Sequence, residues 1–148
     1  MKKLLLMVGI ALVLSVLAGC KCPFCESCKE CKSDATVKKE FKTVSSDELR
    51  NIVKNKSSLI FDARTGKYDT GERIPGAKTL SADSSADEVV KAIPDKNASI
   101  VTYCANLQCP ASNNLANHLK KLGYTNIMEY PEGIEGWIKD GNKVDKVK

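Results

Sequence analysis

The sequence predicts an α/β domain with a mostly parallel, five-stranded sheet flanked by helices, and three observations carry that prediction. Short runs rich in β-branched and aromatic residues alternate with stretches whose apolar residues recur at helical spacing. Turn and cap residues fall between the runs, as alternating strands and helices require. The two clearest strands, Ser58–Asp62 and Ile100–Tyr103, each lead into a chemically capable residue, Asp62 and Cys104. That is the carboxyl end of a strand, where open α/β sheets place their sites.

The folded part begins near Glu40, and Phe41 to Val44 reads as its first strand. Ser45 and Ser46 cap a helix over Asp47 to Lys54, with Leu49, Ile52 and Val53 on its buried face. Ser58 to Asp62 is a buried strand. A loop with Arg64, Gly66 and Gly71 leads to the Pro75-Gly76 turn and the strand Lys78 to Leu80. Asp87 to Ile93 is a short helix closed by Pro94, and Ile100 to Tyr103 is the next buried strand. After a polar loop, Ala111, Leu115, Ala116, Leu119 and Leu122 recur at helical spacing, with Gly123 as a natural stop. Asn126 to Glu129 supplies the fifth strand, and Gly133 to Lys139 a last helical turn containing Trp137.

The loop between the fourth strand and the long helix holds the candidate chemistry. It runs Cys104-Ala105-Asn106-Leu107-Gln108-Cys109-Pro110-Ala111-Ser112. Loop N–H groups and those of the helix's first turn are placed to converge on the Cys104 sulfur and to favour thiolate, which is the nucleophile. The bland reading is a cysteine that ends a core strand as a small hydrophobe. Cys109 is either a resolving thiol or a packing residue ahead of Pro110; the loop is compact enough for a disulfide between the two. His118, on the helix beside Leu115 and Leu122, reads as a half-exposed helix residue and not as a base.

The 148 residues suffice for one domain, and 43% hydrophobic with 28% charged residues argues against general disorder. The net charge of +5 is spread over scattered lysines, with arginines only at 50, 64 and 73, so nucleic-acid binding has no support. Five of the seven cysteines lie between Cys20 and Cys31. Lys2 and Lys3 precede an apolar run, Leu4 to Ala18, that is shorter than the ~20 residues a spanning helix needs. Its end, Leu17-Ala18-Gly19-Cys20, resembles the lipobox of bacterial lipoprotein signal peptides. The resemblance implies a signal peptide over 1–19, cleavage before Cys20 and lipidation of its sulfur, hence a membrane-anchored, extracytoplasmic protein. Residues 20–39 then form a polar tether with Cys22, Cys25, Cys28 and Cys31 at a spacing of three. That array suits a soft metal, paired disulfides, a thiol relay or an inert oxidised tip, and the spacing alone does not choose among them.

Residues 40–148 resemble the rhodanese family of sulfurtransferases. The resemblance rests on Phe61-Asp62-Ala63-Arg64, Tyr68, Gly71, Ile74-Pro75-Gly76-Ala77, Tyr103-Cys104, Gly123-Tyr124 and Gly133-Ile134-Glu135-Gly136-Trp137, in that order and spacing. It implies that Cys104 takes up a sulfane sulfur as a persulfide and hands it to a thiol acceptor. It implies no cofactor, and it gives Asp62 and Arg64 a supporting role beneath the loop, the bland reading of Arg64 being a surface salt bridge of little weight. Two departures stand out: Ser112 lies eight positions after Cys104, and Ala105 to Ala111 contain no Lys or Arg. An anionic donor such as thiosulfate then lacks a fixed counter-charge, although backbone N–H groups remain to receive it. Phosphatase chemistry lacks its bidentate arginine. A thiol–disulfide oxidoreductase using Cys104 and Cys109, and a silent rhodanese-like binding module, are the competing readings.

Overall fold

The computed structural model describes residues 41–147. The predicted signal peptide, Cys20, and the candidate array Cys22, Cys25, Cys28 and Cys31 lie outside the described residues. Five strands form one sheet: β1 (Lys42–Thr43), β2 (Leu59–Asp62), β4 (Lys78–Thr79), β5 (Ile100–Tyr103) and β6 (Ile127–Tyr130). Their order is β1-β6-β5-β2-β4, and every pairing is parallel. Four α-helices connect them: α1 (Ser46–Asn55), α2 (Ala86–Ala92), α3 (Ala111–Lys121) and α4 (Gly133–Lys139).

Two of the helices, α1 and α2, begin on serine caps. Ser45 and Ser85 both form capping boxes, their hydroxyls receiving the N–H of Glu48 and Glu88 while those carboxylates accept from the cap N–H. The sheet's pleat then sorts its side chains. Ile60 and Val101 face one layer with Leu49 of α1 and Ile134 and Trp137 of α4. Phe61 and Ile100 face the other, with Val89 of α2 and Leu115, Ala116 and Leu119 of α3. Register aligns Asp62 with Tyr103 and Tyr103 with Tyr130, so these three form one row across the sheet. Successive residues of a strand point to opposite faces. Tyr103 therefore belongs to the α1/α4 layer and Cys104 to the α2/α3 layer.

Two short strands went unpredicted. β3 (Glu72–Arg73) and β7 (Asp145–Lys146) pair antiparallel beside the main sheet. Two residues are too few to leave a periodic signal in sequence, and the pairing joins segments far apart in the chain. The pair holds the long β2–β4 connection against the C-terminal segment, with Val147 N–H donating to Gly71 O at 2.8 Å.

Candidate active site

Cys104 follows directly on β5 and is 1% exposed. Its carbonyl and that of Ala105 accept the N–H groups of Ile134 and Glu135 at 2.9 and 3.0 Å, which pins the start of the loop to the first turn of α4. The backbones meet closely at Gly133. A Cβ there would lie 2.5 Å from the Ala105 carbonyl and 2.6 Å from the Cys104 oxygen, and its φ of +63° is one that glycine adopts freely. The loop then turns on Asn106, whose carbonyl accepts the Cys109 N–H at 3.1 Å and whose side-chain oxygen accepts the Gln108 N–H at 3.1 Å. Asn106 Nδ2 also donates to Glu135 Oε1 at 2.9 Å. From Pro110 the chain enters α3, which places Ser112 in the core at 2% exposure.

The loop brings two free thiols together. Cys104 Sγ donates to the Cys109 carbonyl at 3.1 Å, and each thiol shifts the titration of the other. The Ser112 hydroxyl lies 3.6 Å from Cys104 Sγ and donates to Glu129 Oε1 at 2.7 Å. Burial pushes the Cys104 thiol up, and the hydrogen bond with Cys109 pushes it the same way; the Ser112 hydroxyl and N–H oppose them and lose. Burial also raises Cys109, but the bonds from Cys104 and from the N–H groups of Ala105 and Ala111 outweigh it, and its thiol titrates below the ordinary value. This corrects the expectation that the loop's N–H groups favour thiolate at Cys104. The loop is long enough for Cys109 to fold back into the cradle, and the Ala105 and Ala111 N–H groups serve that sulfur instead.

A cleft of about 620 Å³ opens over the loop. Cys109, Pro110 and Ala111 line it on one side, Arg64, Thr65 and Tyr68 on another; Cys104 does not line it. Beneath lies a buried ionic network. Asp62, fully buried, takes a bidentate contact from the Arg64 guanidinium and the Arg64 N–H, and lies 3.4 Å from Arg73 Nε. Arg64 also donates to Thr70 and the Glu72 carbonyl, and Arg73 to Asp69 and Thr79. The Tyr103 hydroxyl accepts the Ile74 N–H at 3.2 Å, and burial together with the Asp62 charge pushes its pKa up. Arg64 at 3% exposure is thus no surface ion pair.

The family is decided by the match over this framework: the rhodanese-like domain profile aligns with residues 45–140. The chain belongs to the rhodanese-like domain family. Among solved structures this rhodanese-like chain resembles the BH2092 protein of Bacillus halodurans at 23% identity and TM-score 0.64, over 74% of this chain and 80% of that one. It resembles a thiosulfate sulfurtransferase of Pseudomonas aeruginosa at 16% identity and TM-score 0.59, over 75% of this chain and 21% of that one. It also resembles EanB, solved with ergothioneine covalently linked with a persulfide cysteine, at 22% identity and TM-score 0.59, over 72% of this chain and 28% of that one. No curated protein matches it in sequence. These likenesses establish the α/β fold of the rhodanese-like domain.

Of the residues singled out from sequence, Cys104, Cys109 and Ser112 come together around the loop, while Arg64 lines the cleft and Asp62 is buried behind it. Leu107, 66% exposed, points away from the sulfurs into a neighbouring groove. His118 is half-buried and its Nε2 contacts the Ser84 carbonyl at 3.0 Å, consistent with a structural role. Four residues were missed: Arg73 and Asp69 in the ionic network, Glu129 behind Ser112, and Gly133 against the loop. Glu129 was detectable, since the strand's alternation from Ile127 sends it to the face where an apolar residue is expected.

Proposed function

We propose that this rhodanese-like protein is a sulfurtransferase that carries a sulfane sulfur as a persulfide on Cys104, with Cys109 as the second thiol of the same loop. The single observation behind the reading is a pair of free thiols at the carboxyl end of a central strand, the Cys104 S–H bonded to the Cys109 carbonyl, beside an open cleft. The neighbours support it by analogy: one is a thiosulfate sulfurtransferase and another holds a persulfide cysteine. The acceptor is a thiol, and the lipobox-like N-terminus supports anchoring of the protein at a membrane surface outside the cytoplasm through Cys20. A donor-loading experiment tests the activity. Reduced protein exposed to a panel of sulfane donors gains about 32 Da, one sulfur atom, within the peptide spanning the loop. Absence of that adduct with every donor, in a folded and reduced protein, contradicts the reading.

A thiol–disulfide oxidoreductase is the second reading, favoured by two free cysteines in one loop with the Cys104 S–H on the Cys109 carbonyl. It predicts disulfide exchange by the loop with no sulfur adduct.

A further inference from the structure

The two thiols of the loop do not face the same surroundings. Cys109 lines the cleft and is half-buried. Cys104 is 1% exposed, does not line the cleft, and has its S–H turned inward to the Cys109 carbonyl. A donor in the cleft therefore meets Cys109 first. The charged side chains that line the cleft are Arg64, engaged by Asp62, Thr70 and the Glu72 carbonyl, and the exposed Glu135, while Lys67 is held over the Tyr68 ring at 5.1 Å, so the lining offers no unengaged cation to a dianion. Tyr68 lines the same cleft while remaining 65% exposed, an apolar wall for an organic substituent.

Building on the sulfurtransferase reading, we propose that Cys109 is the port at which sulfane sulfur enters, that Cys104 is the interior site to which it passes, and that the donor is an organic persulfide and not a dianion such as thiosulfate. In the first step the Cys109 thiolate attacks the outer sulfur of R–S–SH. The donor's S–S bond breaks, R–S⁻ departs and takes a proton from water, and Cys109 becomes Cys–S–SH. In the second step Cys104 attacks the outer sulfur of that persulfide. A new S–S bond forms on Cys104, the one on Cys109 breaks, and the Cys104 proton passes to the Cys109 sulfur. The sulfane sulfur keeps its oxidation state throughout, so no oxidant or reductant enters. Burial of Cys104 routes release to a thiol acceptor back through Cys109, the thiol that lines the cleft, and the Ser112 hydroxyl stands 3.6 Å from the Cys104 sulfur.

The test uses the reduced full chain, 2-mercaptoethanol persulfide as donor, and peptide mapping of the added sulfur. Wild type is expected to carry the sulfur on Cys104 and Cys104→Ser to carry it on Cys109. Cys109→Ser is expected to load about ten-fold more slowly or worse, as a thiol without access would. Iodoacetamide on the wild type gives the same order without any substitution, with Cys109 alkylated about ten-fold faster than Cys104. Cys109→Ser loading at the wild-type rate, or Cys104 alkylating first, overturns the relay and leaves sulfur transfer standing. Release of sulfide with a Cys104–Cys109 disulfide overturns the passing step. Thiosulfate loading as fast as the organic persulfide overturns the donor class, and no adduct in any of the three proteins overturns both the relay and the sulfurtransferase reading.

Discussion

At the scale of single residues, the site depends on charges and atoms with no room to move. Asp62 lies fully buried between Arg64 and Arg73, and removing its charge leaves the buried Arg64 guanidinium without a counter-ion while Arg73 keeps only Asp69. Breaking a buried pair in this way costs about 3–5 kcal/mol. Asp62→Asn is therefore expected to lower the urea-unfolding free energy by that amount, and a loss under about 1 kcal/mol, as for an exposed pair, contradicts the assignment. Asp69 adds a pH dependence. Its hydrogen bond with Arg73, helped by the Gly71 N–H, holds its carboxyl down to about 2 against an ordinary 3.8. A depressed carboxyl stabilises the folded state above its unfolded pKa, and that contribution is lost as pH falls through the folded one. Unfolding midpoints should thus fall between pH 3.8 and about 2, and Asp69→Asn should flatten the profile in that window. An unchanged slope in the variant removes Asp69 as the cause.

At the scale of elements, the loop is held by its neighbours as much as by its own turns. Gly133 lets the first turn of α4 take up the Cys104 and Ala105 carbonyls. Gly133→Ala adds a Cβ against both carbonyls in a left-handed conformation, which costs about 1–3 kcal/mol and shifts the loop. Circular dichroism melts and the rate of loop alkylation check it, and an unaltered rate in a stable variant contradicts the docking role. Ser45, the N-cap of α1, lies on an element that does not touch the loop's sulfurs; Ser45→Ala should cost about 1 kcal/mol in stability with loading unchanged. Both helices with capping boxes were legible in the sequence, the first from its serine cap and the spacing of Leu49, Ile52 and Val53, the second as a short run closed by Pro94. The five parallel strands were legible for the same reason: each is a local run. What escaped is non-local. The β3–β7 pair joins segments with no pattern of their own, and the Asp62–Arg64–Arg73–Asp69 network is assembled by the β2–β4 connection folding back on itself. The protonation of the two thiols also escaped, since spacing indicates a cradle but not which sulfur occupies it.

At the scale of the whole molecule, the sequence is a rhodanese-like domain preceded by a lipobox-like segment and a cysteine-bearing stretch outside the described residues. Among the described residues no helix is long and apolar enough to cross a membrane. The proposed anchor rests on the lipobox-like Leu17-Ala18-Gly19-Cys20: Cys20→Ser should leave the precursor unlipidated and remove it from the lipoprotein fraction, and a variant that fractionates like wild type contradicts the anchor. The central claim is that the loop dithiol takes a sulfur atom from one molecule and gives it to another. The most direct measurement loads the protein with a radiolabelled sulfane donor, removes the donor, and adds a small thiol acceptor. The account predicts that the label resides on the 104–112 loop and moves to the acceptor as its persulfide, leaving the thiols of the loop ready to load again. Label that never binds the loop, or that leaves only as free sulfide with a loop disulfide behind, contradicts it.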